Sequence, residues 1–251
     1  MPKNLKSPPE NFDFQYTTVW SFPRRGKRAT HDSKYRGNWS PDVVRNLILR
    51  YSQEWDLLLD PMIWWWTTAI EAKLLGRNLI GGDINPDAVE LTQKKISFKL
   101  DSPKSPKIQI KQLDATQLGF LKDNSIDFIL THPPYWNIIK YSDSIEWDLS
   151  LIKDLDEFLD KIDLIAKEFF RILKPWKFGA ILIWDTRKKK MYVPLSFYVM
   201  QRFLEAGFKL KEDVIKIQHN CKATWFWKNK SKEYNFLLIM HEHLFVFLKP
   251  E

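Results

Sequence analysis

The sequence is short of several things, and each shortage narrows what the chain is. It holds one cysteine, Cys221, in 251 residues. That excludes an internal disulfide and a cysteine-rich zinc site, and it suits a reducing, cytoplasmic setting. No apolar run approaches the ~20 residues that a membrane span needs. Residues 1–12 lack the apolar stretch of a signal peptide. Glycine is scarce, with 8 residues in the chain, against roughly 7% in ordinary proteins.

Tryptophan, by contrast, occurs 12 times. Trp55, Trp64, Trp65, Trp66, Trp147, Trp176, Trp184 and Trp225 stand where turn chemistry favours glycine. The formal net charge is +8, unevenly spread. Residues 1–50 carry 10 Lys/Arg and 4 Asp/Glu, residues 51–173 carry 14 and 20, and residues 174–251 carry 15 and 7. Basic ends around a more acidic middle suit a polyanionic partner, and equally a solvated Lys/Glu surface. Arg24, Arg25, Lys27 and Arg28 form the densest run, and Lys188-Lys189-Lys190 a second. Both are candidate phosphate contacts.

Residues 1–40 are polar and basic and are expected to form an arm, with 41–251 a single domain. Ser40-Pro41-Asp42 is a helix start, Ser at the cap and Pro at the first position. Leu57–Asp60 fits a buried strand, Thr67–Leu75 a helix closed by Gly76, and Asn78–Gly82 a strand leading to Asp83. Asn85-Pro86-Asp87 opens a helix to about Lys99. Ile108–Leu113 and Ser125–Thr131 are strands ending at Asp114 and His132. A long amphipathic helix covers Leu151–Leu173, and a strand covers Phe178–Ile183. A helix is expected at Pro194–Glu205. Strands at Phe208–Ile217 and Asn235–Leu248 flank a basic loop bearing Lys228, Lys230 and Lys232. Alternating strands and helices predict an α/β, doubly wound, mostly parallel sheet with an antiparallel edge.

Right-handed crossovers place Asp60, Asp83, Asp114 and His132 along one sheet edge. A carboxylate at Asp83 can accept both hydroxyls of a ribose. Asp114 can accept from an adenine amino group, and Asp60 can face a cationic group. A lone Asp at a strand end is usually a turn or a cap; three at successive tips point to a ligand. In His132-Pro133-Pro134-Tyr135 the prolines stiffen the backbone and remove two amide donors. The carbonyls they hold are fixed acceptors for an exocyclic amino group, and Tyr135 can stack on a flat base. His241 and His243 flank Glu242 on one strand, but two ligands without a third make no metal site, and none is expected.

These stretches resemble the amino-methylating DNA methyltransferases, which form N4-methylcytosine or N6-methyladenine. Residues 60–92 are similar to their cofactor motif apart from Trp64-Trp65-Trp66. Thr131–Trp136 is similar to their (Asp/Asn/Ser)-Pro-Pro-(Tyr/Phe) motif, with His132 in the first place. Residues 38–52, 172–187 and 241–250 resemble further core segments. The resemblance implies a Rossmann-like methyltransferase fold of seven strands. It implies S-adenosylmethionine as cofactor, held by Asp60, Thr67, Asp83, Ile84 and Asp114. It implies DNA as substrate in a restriction–modification setting, and in-line methyl transfer to a flipped base held by His132, Pro133, Pro134 and Tyr135. Two other readings stay open: a tRNA guanine-N2 methyltransferase, and a nucleic-acid-binding protein of this fold without catalysis.

The tryptophans complicate the resemblance. A glycine loop tolerates positive φ and lets a ligand approach the backbone. Indoles at 64–66 do neither, so the chain is expected to bind S-adenosylmethionine weakly or not at all. The pattern is that of a family sequence with several glycines replaced by tryptophan.

Overall fold

The computed structural model describes residues 4–5, 12, 14–32, 39–64, 66–101, 104–134, 136, 145, 148–219 and 224–251. In chain order the first elements are β1 (Asn4–Leu5), β2 (Val19–Ser21), α1 (Pro41–Tyr51), β3 (Leu57–Asp60) and α2 (Thr67–Leu74). Then come β4 (Asn78–Asp83), α3 (Pro86–Lys95), β5 (Lys99–Leu100), β6 (Ile108–Gln112) and β7 (Ile126–Thr131). A 3-10 turn at Leu149–Leu151 precedes α4 (Leu155–Ile172) and β8 (Leu173–Ile183). The chain continues through β9 (Thr186–Lys188), β10 (Met191–Val193), α5 (Leu195–Glu205), β11 (Lys209–Ile217), α6 (Thr224–Tyr234) and β12 (His241–Leu248).

Eight strands form the main sheet in the order β2-β11-β12-β8-β7-β3-β4-β6. β6, β4, β3, β7 and β8 run parallel. β12 is antiparallel to β8, and β11 to β12. This is the predicted mixed sheet plus one strand. The addition is β2, three residues from within the segment expected as an arm, pairing in parallel with β11. Trp20 anchors it, buried with its indole N–H donated to the Thr17 carbonyl at 2.8 Å.

Helices cover both faces. Alternation along the strands sends Leu58, Phe128, Leu130, Leu182 and Leu244 to the α1/α2 side. It sends Leu59, Ile129, Ile181, Phe245 and Phe247 to the α4/α5 side. α1 starts as its sequence dictates, with Ser40 Oγ accepting from the Asp42 amide. α4 buries Phe158, Leu159, Ile162, Ile165, Ala166, Phe169 and Ile172, the i, i+3, i+4 spacing of a one-sided helix. The Asp154 side chain caps it by accepting from two amides.

Several boundaries differ from expectation. α3 stops at Lys95, and Lys99–Leu100 instead pairs with β1. α4 begins at Leu155 because Asp154 is its cap. β8 starts as soon as α4 ends and passes through Pro175 with a register shift against β7. Residues 224–234, expected as part of a basic loop, form α6, with Lys230 and Glu233 paired one turn apart at 2.8 Å. β12 accordingly begins at His241. Two tryptophans occupy the left-handed region that favours glycine: Trp55 at φ +71° and Trp176 at φ +60°. No described helix is long and apolar enough to cross a membrane.

Candidate active site

The strand order β6-β4-β3-β7 sets four tips side by side. Asp114 follows β6, Asp83 ends β4, Asp60 ends β3 and His132 follows β7. Between them lies a cavity of about 790 Å³, open solvent included. Its walls include Trp39, Met62, Ile63, Trp64, Ile84, Thr116, Pro134 and Leu149 as well as those four residues and Asp148. Gly82 lets the walls close up: a Cβ there would collide with the Leu113 side chain and the Lys111 carbonyl.

The wall is acidic. Four aspartates line it, and no Lys or Arg is among its described lining residues. Burial pushes the Asp60 carboxyl up to about 7, although hydrogen bonds from Thr68, Thr131 and the Met62 amide oppose the rise. Thr131 Oγ1 donates to Asp60 Oδ1 at 3.0 Å. Burial likewise takes Asp83 to about 7 against the Asn85 amide, which donates to Asp83 Oδ1 at 2.9 Å. The charges of Asp60 and Asp148 add to that rise. Asp114 Oδ1 accepts from the Thr116 amide and hydroxyl, both at 2.8 Å, which fixes its carboxylate at the rim.

His132 lies on the opposite wall. Burial lowers its pKa to about 4, Glu242 opposing and Lys216 assisting. Its imidazole is therefore neutral at physiological pH and both accepts and donates one hydrogen bond. Glu242 Oε1 is 3.8 Å from His132 Nε2, and Glu242 Oε2 takes Lys216 Nζ at 2.7 Å. The Trp39 and His132 rings lie 5.8 Å apart.

The other expected site residues separate into groups. Ile84 and Pro134 line the cavity; Pro133 and Thr67 are buried and do not. Tyr135 lies outside the described residues. Of the tryptophan triplet, Trp64 lines the cavity. Trp66 turns away into a separate apolar cluster with Ile70, Leu74 and Phe98. Trp65 is not among the described residues.

Arg24 and Lys27 are exposed. Arg25 and Arg28, expected as phosphate contacts, face protein acceptors. Arg25 donates to the Trp39 carbonyl at 2.6 Å, and Arg28 pairs with Asp42 at 2.6 Å and with Glu71 at 3.5 Å. Glu71 is fully buried and also takes Arg45 at 2.7 Å and His31 at 2.9 Å. The basic segment thus holds Trp39 against the cavity. Lys188, Lys189 and Lys190 are exposed on the β9–β10 hairpin, the last two at φ +50° and +68°. Lys188 Nζ lies 5.1 Å over the Trp136 ring, beside the His132 loop.

Trp39 and Asp148 were not singled out from the sequence. Asp148 accepts from the Ser150 amide at 2.8 Å, so Asp-x-Ser ahead of an amphipathic helix is the signal that marked it. Trp39 directly precedes the Ser40 cap, where an apolar residue fixes the entry of the chain into the helix.

Residues 2–94 match the DNA methylase family of N6- and N4-specific enzymes. The chain is 26% identical over 219 residues to the type II methyltransferase M.BsoBI of Geobacillus stearothermophilus, covering 75% of this chain and 41% of that protein. It is 27% identical over 176 residues to the type II beta methyltransferase M.BslI of a Bacillus species, covering 62% and 18%. The chain thus spans less than half the length of these curated relatives. Among solved structures it is similar to TrmN from Thermus thermophilus, with TM-score 0.56 and 19% identity, covering 85% of this chain and 50% of that one. It is also similar to a SAM-dependent methyltransferase from Methanosarcina mazei, with TM-score 0.56 and 16% identity, covering 81% and 97%. At these identities the structures speak for the fold.

Proposed function

We propose that this chain is an amino-methylating DNA methyltransferase, which transfers a methyl group from S-adenosylmethionine to N4 of cytosine or N6 of adenine in DNA, acting on a base flipped out of the duplex. The observation that carries the reading is the acidic cavity at the carboxyl edge, opening onto His132 and Pro134. A pocket with four aspartates and, among its described lining residues, no Lys or Arg disfavours nucleotide phosphates and favours a ligand with net positive charge.

The residues present fit the cofactor. Asp83 would accept the ribose hydroxyls, and Asp114 with Thr116 would take the adenine amino group. Asp60 and Asp148 would offset the ammonium and sulfonium charges. Ile84 and Leu113 supply apolar wall for the purine. When bound, S-adenosylmethionine supplies an electrophilic methyl on a sulfonium. Trp64 takes part of the wall that a glycine would leave open, so affinity is reduced while the cavity itself persists.

The base enters from the His132 side. The His132 carbonyl, stiffened by the two prolines that follow it, would accept from the exocyclic amino group and aim its lone pair across the cavity. Neutral His132 can accept one amino hydrogen in the role that an aspartate or asparagine fills in related motifs. Exclusion of water by Trp39 and Leu149 strengthens these contacts. Transfer is direct, with no nucleophile from the protein. The exposed lysines of the hairpin suit phosphates beside the flipped base. Residues 1–40 then act as a partly docked arm and 41–251 as the catalytic unit, in the cytoplasm.

The test is incubation with labelled S-adenosylmethionine and duplex DNA, followed by mass spectrometry of the nucleosides. N4-methylcytosine or N6-methyladenine is expected. Methylated guanine on tRNA with no product on DNA overturns the DNA assignment.

A further inference from the structure

On the face of β12 turned away from His132, a second cluster has no part in the reaction above. β12 alternates, so Glu242 points toward His132 while His241 and His243 share the opposite face. His243 pairs with Ile183 at the end of β8, which brings Asp185, two residues on, beside it. One ligand atom from each of Asp185, His241 and His243 lies within 4.8 Å of the others. Asp185 Oδ2 is 3.9 Å from His243 Nε2, and the two imidazole centroids are 5.3 Å apart. Asp185 and His243 are buried, at 2% and 6% exposure, and no Lys or Arg pairs with Asp185 among the described residues.

We propose that Asp185, His241 and His243 bind a divalent transition-metal ion of the zinc type. Two imidazoles and one carboxylate are a zinc donor set with a fourth position left for water. The surroundings are those of a metal site. His243 Nδ1 lies 3.0 Å from Asp213 Oδ1, which fixes the tautomer and leaves Nε2 for the ion, a carboxylate–histidine–metal arrangement. Asp185 is oriented by the Ser196 amide at 2.7 Å and by the Tyr192 hydroxyl. The ring of Phe197 packs edge-on against His243 at 5.1 Å and screens that side. The sequence alone offered only the two histidines; the fold brings the third ligand from the segment just after β8 and the supporting aspartate from β11.

The ion is a clamp. It ties the start of β12 to the end of β8, and through Asp185 and Tyr192 it braces the β9–β10 hairpin that carries Lys188–Lys190. The site is separate from the cofactor cavity and does not depend on it.

The test uses the whole chain stripped with a chelator, without cofactor or DNA. Isothermal titration with zinc chloride is expected to show one ion per chain. A cobalt(II) titration is expected to develop visible d–d absorption of a low-coordinate site. His241→Gln, at a half-buried position, is expected to weaken zinc binding about 100-fold and Asp213→Asn about 10-fold. Circular dichroism checks that each variant keeps its fold. Absence of stoichiometric zinc binding overturns the proposal, as does binding that both variants leave unchanged. A cobalt spectrum unaltered by His241→Gln overturns it equally.

Discussion

Two of the places where the chain buries carboxylates treat them in opposite ways. Glu71 on α2 is surrounded by Arg45, His31 and Arg28. Burial alone pushes its pKa up, but the His31 hydrogen bond and the cationic neighbours outweigh it and hold the group below its ordinary value. Asp60 and Asp83, at the tips of β3 and β4, are as deeply buried and, among the described residues, receive hydroxyl and amide donors without a cationic partner; both rise to about 7. The first site is completed by the protein itself. The second is electrostatically unfinished, and the cationic cofactor proposed above would complete it. Structural and functional carboxylates are thus separated by whether the compensating charge is built in.

Four substitutions and a pH series can break or sharpen that contrast. Glu71→Ala leaves Arg45 and His31 buried without their counterion and is expected to cost about 3–5 kcal/mol in urea unfolding at neutral pH. A loss under 1 kcal/mol would put the two sites on the same footing. Asp83→Asn is expected to weaken S-adenosylmethionine binding about 10- to 100-fold by calorimetry. The same variant should raise the urea midpoint of the unliganded chain at pH 8, because it removes a charge that burial disfavours.

The pH series follows from the directions of the shifts. Asp60 and Asp83 have folded pKa values near 7, above the unfolded value of 3.8. Their contribution to stability is present below pH 4 and is lost as pH rises through 7. Glu71 runs the other way, stabilising above its unfolded pKa and losing that contribution as pH falls through its depressed one. Cofactor binding needs both aspartates ionised, so affinity is expected to fall about tenfold or more between pH 8 and pH 5.5. Flat affinity across that range would remove the electrostatic basis of the site. Smaller effects come from the tryptophans. Trp64→Gly is expected to tighten cofactor binding severalfold in the same calorimetry. Trp55→Gly relieves a left-handed backbone and should add about 1 kcal/mol to thermal stability.

What was legible in the sequence followed from local signals. Ser40-Pro41, Asn85-Pro86 and Gly76 mark helix ends through their own chemistry, and apolar runs ending in Asp60, Asp83 and His132 gave the strand tips. Parallel order then aligned the tips. What was not legible depends on contacts distant in the chain. Asp148 joins the cavity from a segment without periodicity, and Trp39 reaches it only because Arg25 and Arg28 fold back onto α1 and α2. A basic run is the same string of letters whether it faces phosphate or a buried glutamate. Asp185 becomes a neighbour of His243 only through the β8–β12 register. α6 was missed because its lysines obscured a short helix.

The pairing of β2 with β11 also sets an order in time. The partner strand of Val19–Ser21, Ile215–Ile217, leaves the ribosome about 200 residues after it, some 10–40 s at ordinary translation rates. The strands around the cavity need no such wait, since β3, β4, β6 and β7 are all made by Thr131. The pocket half can therefore collapse first, while Trp20 stays without the strand that will cover it. Until Ile215–Ile217 is made, the Trp20 indole lacks the strand that pairs with its own.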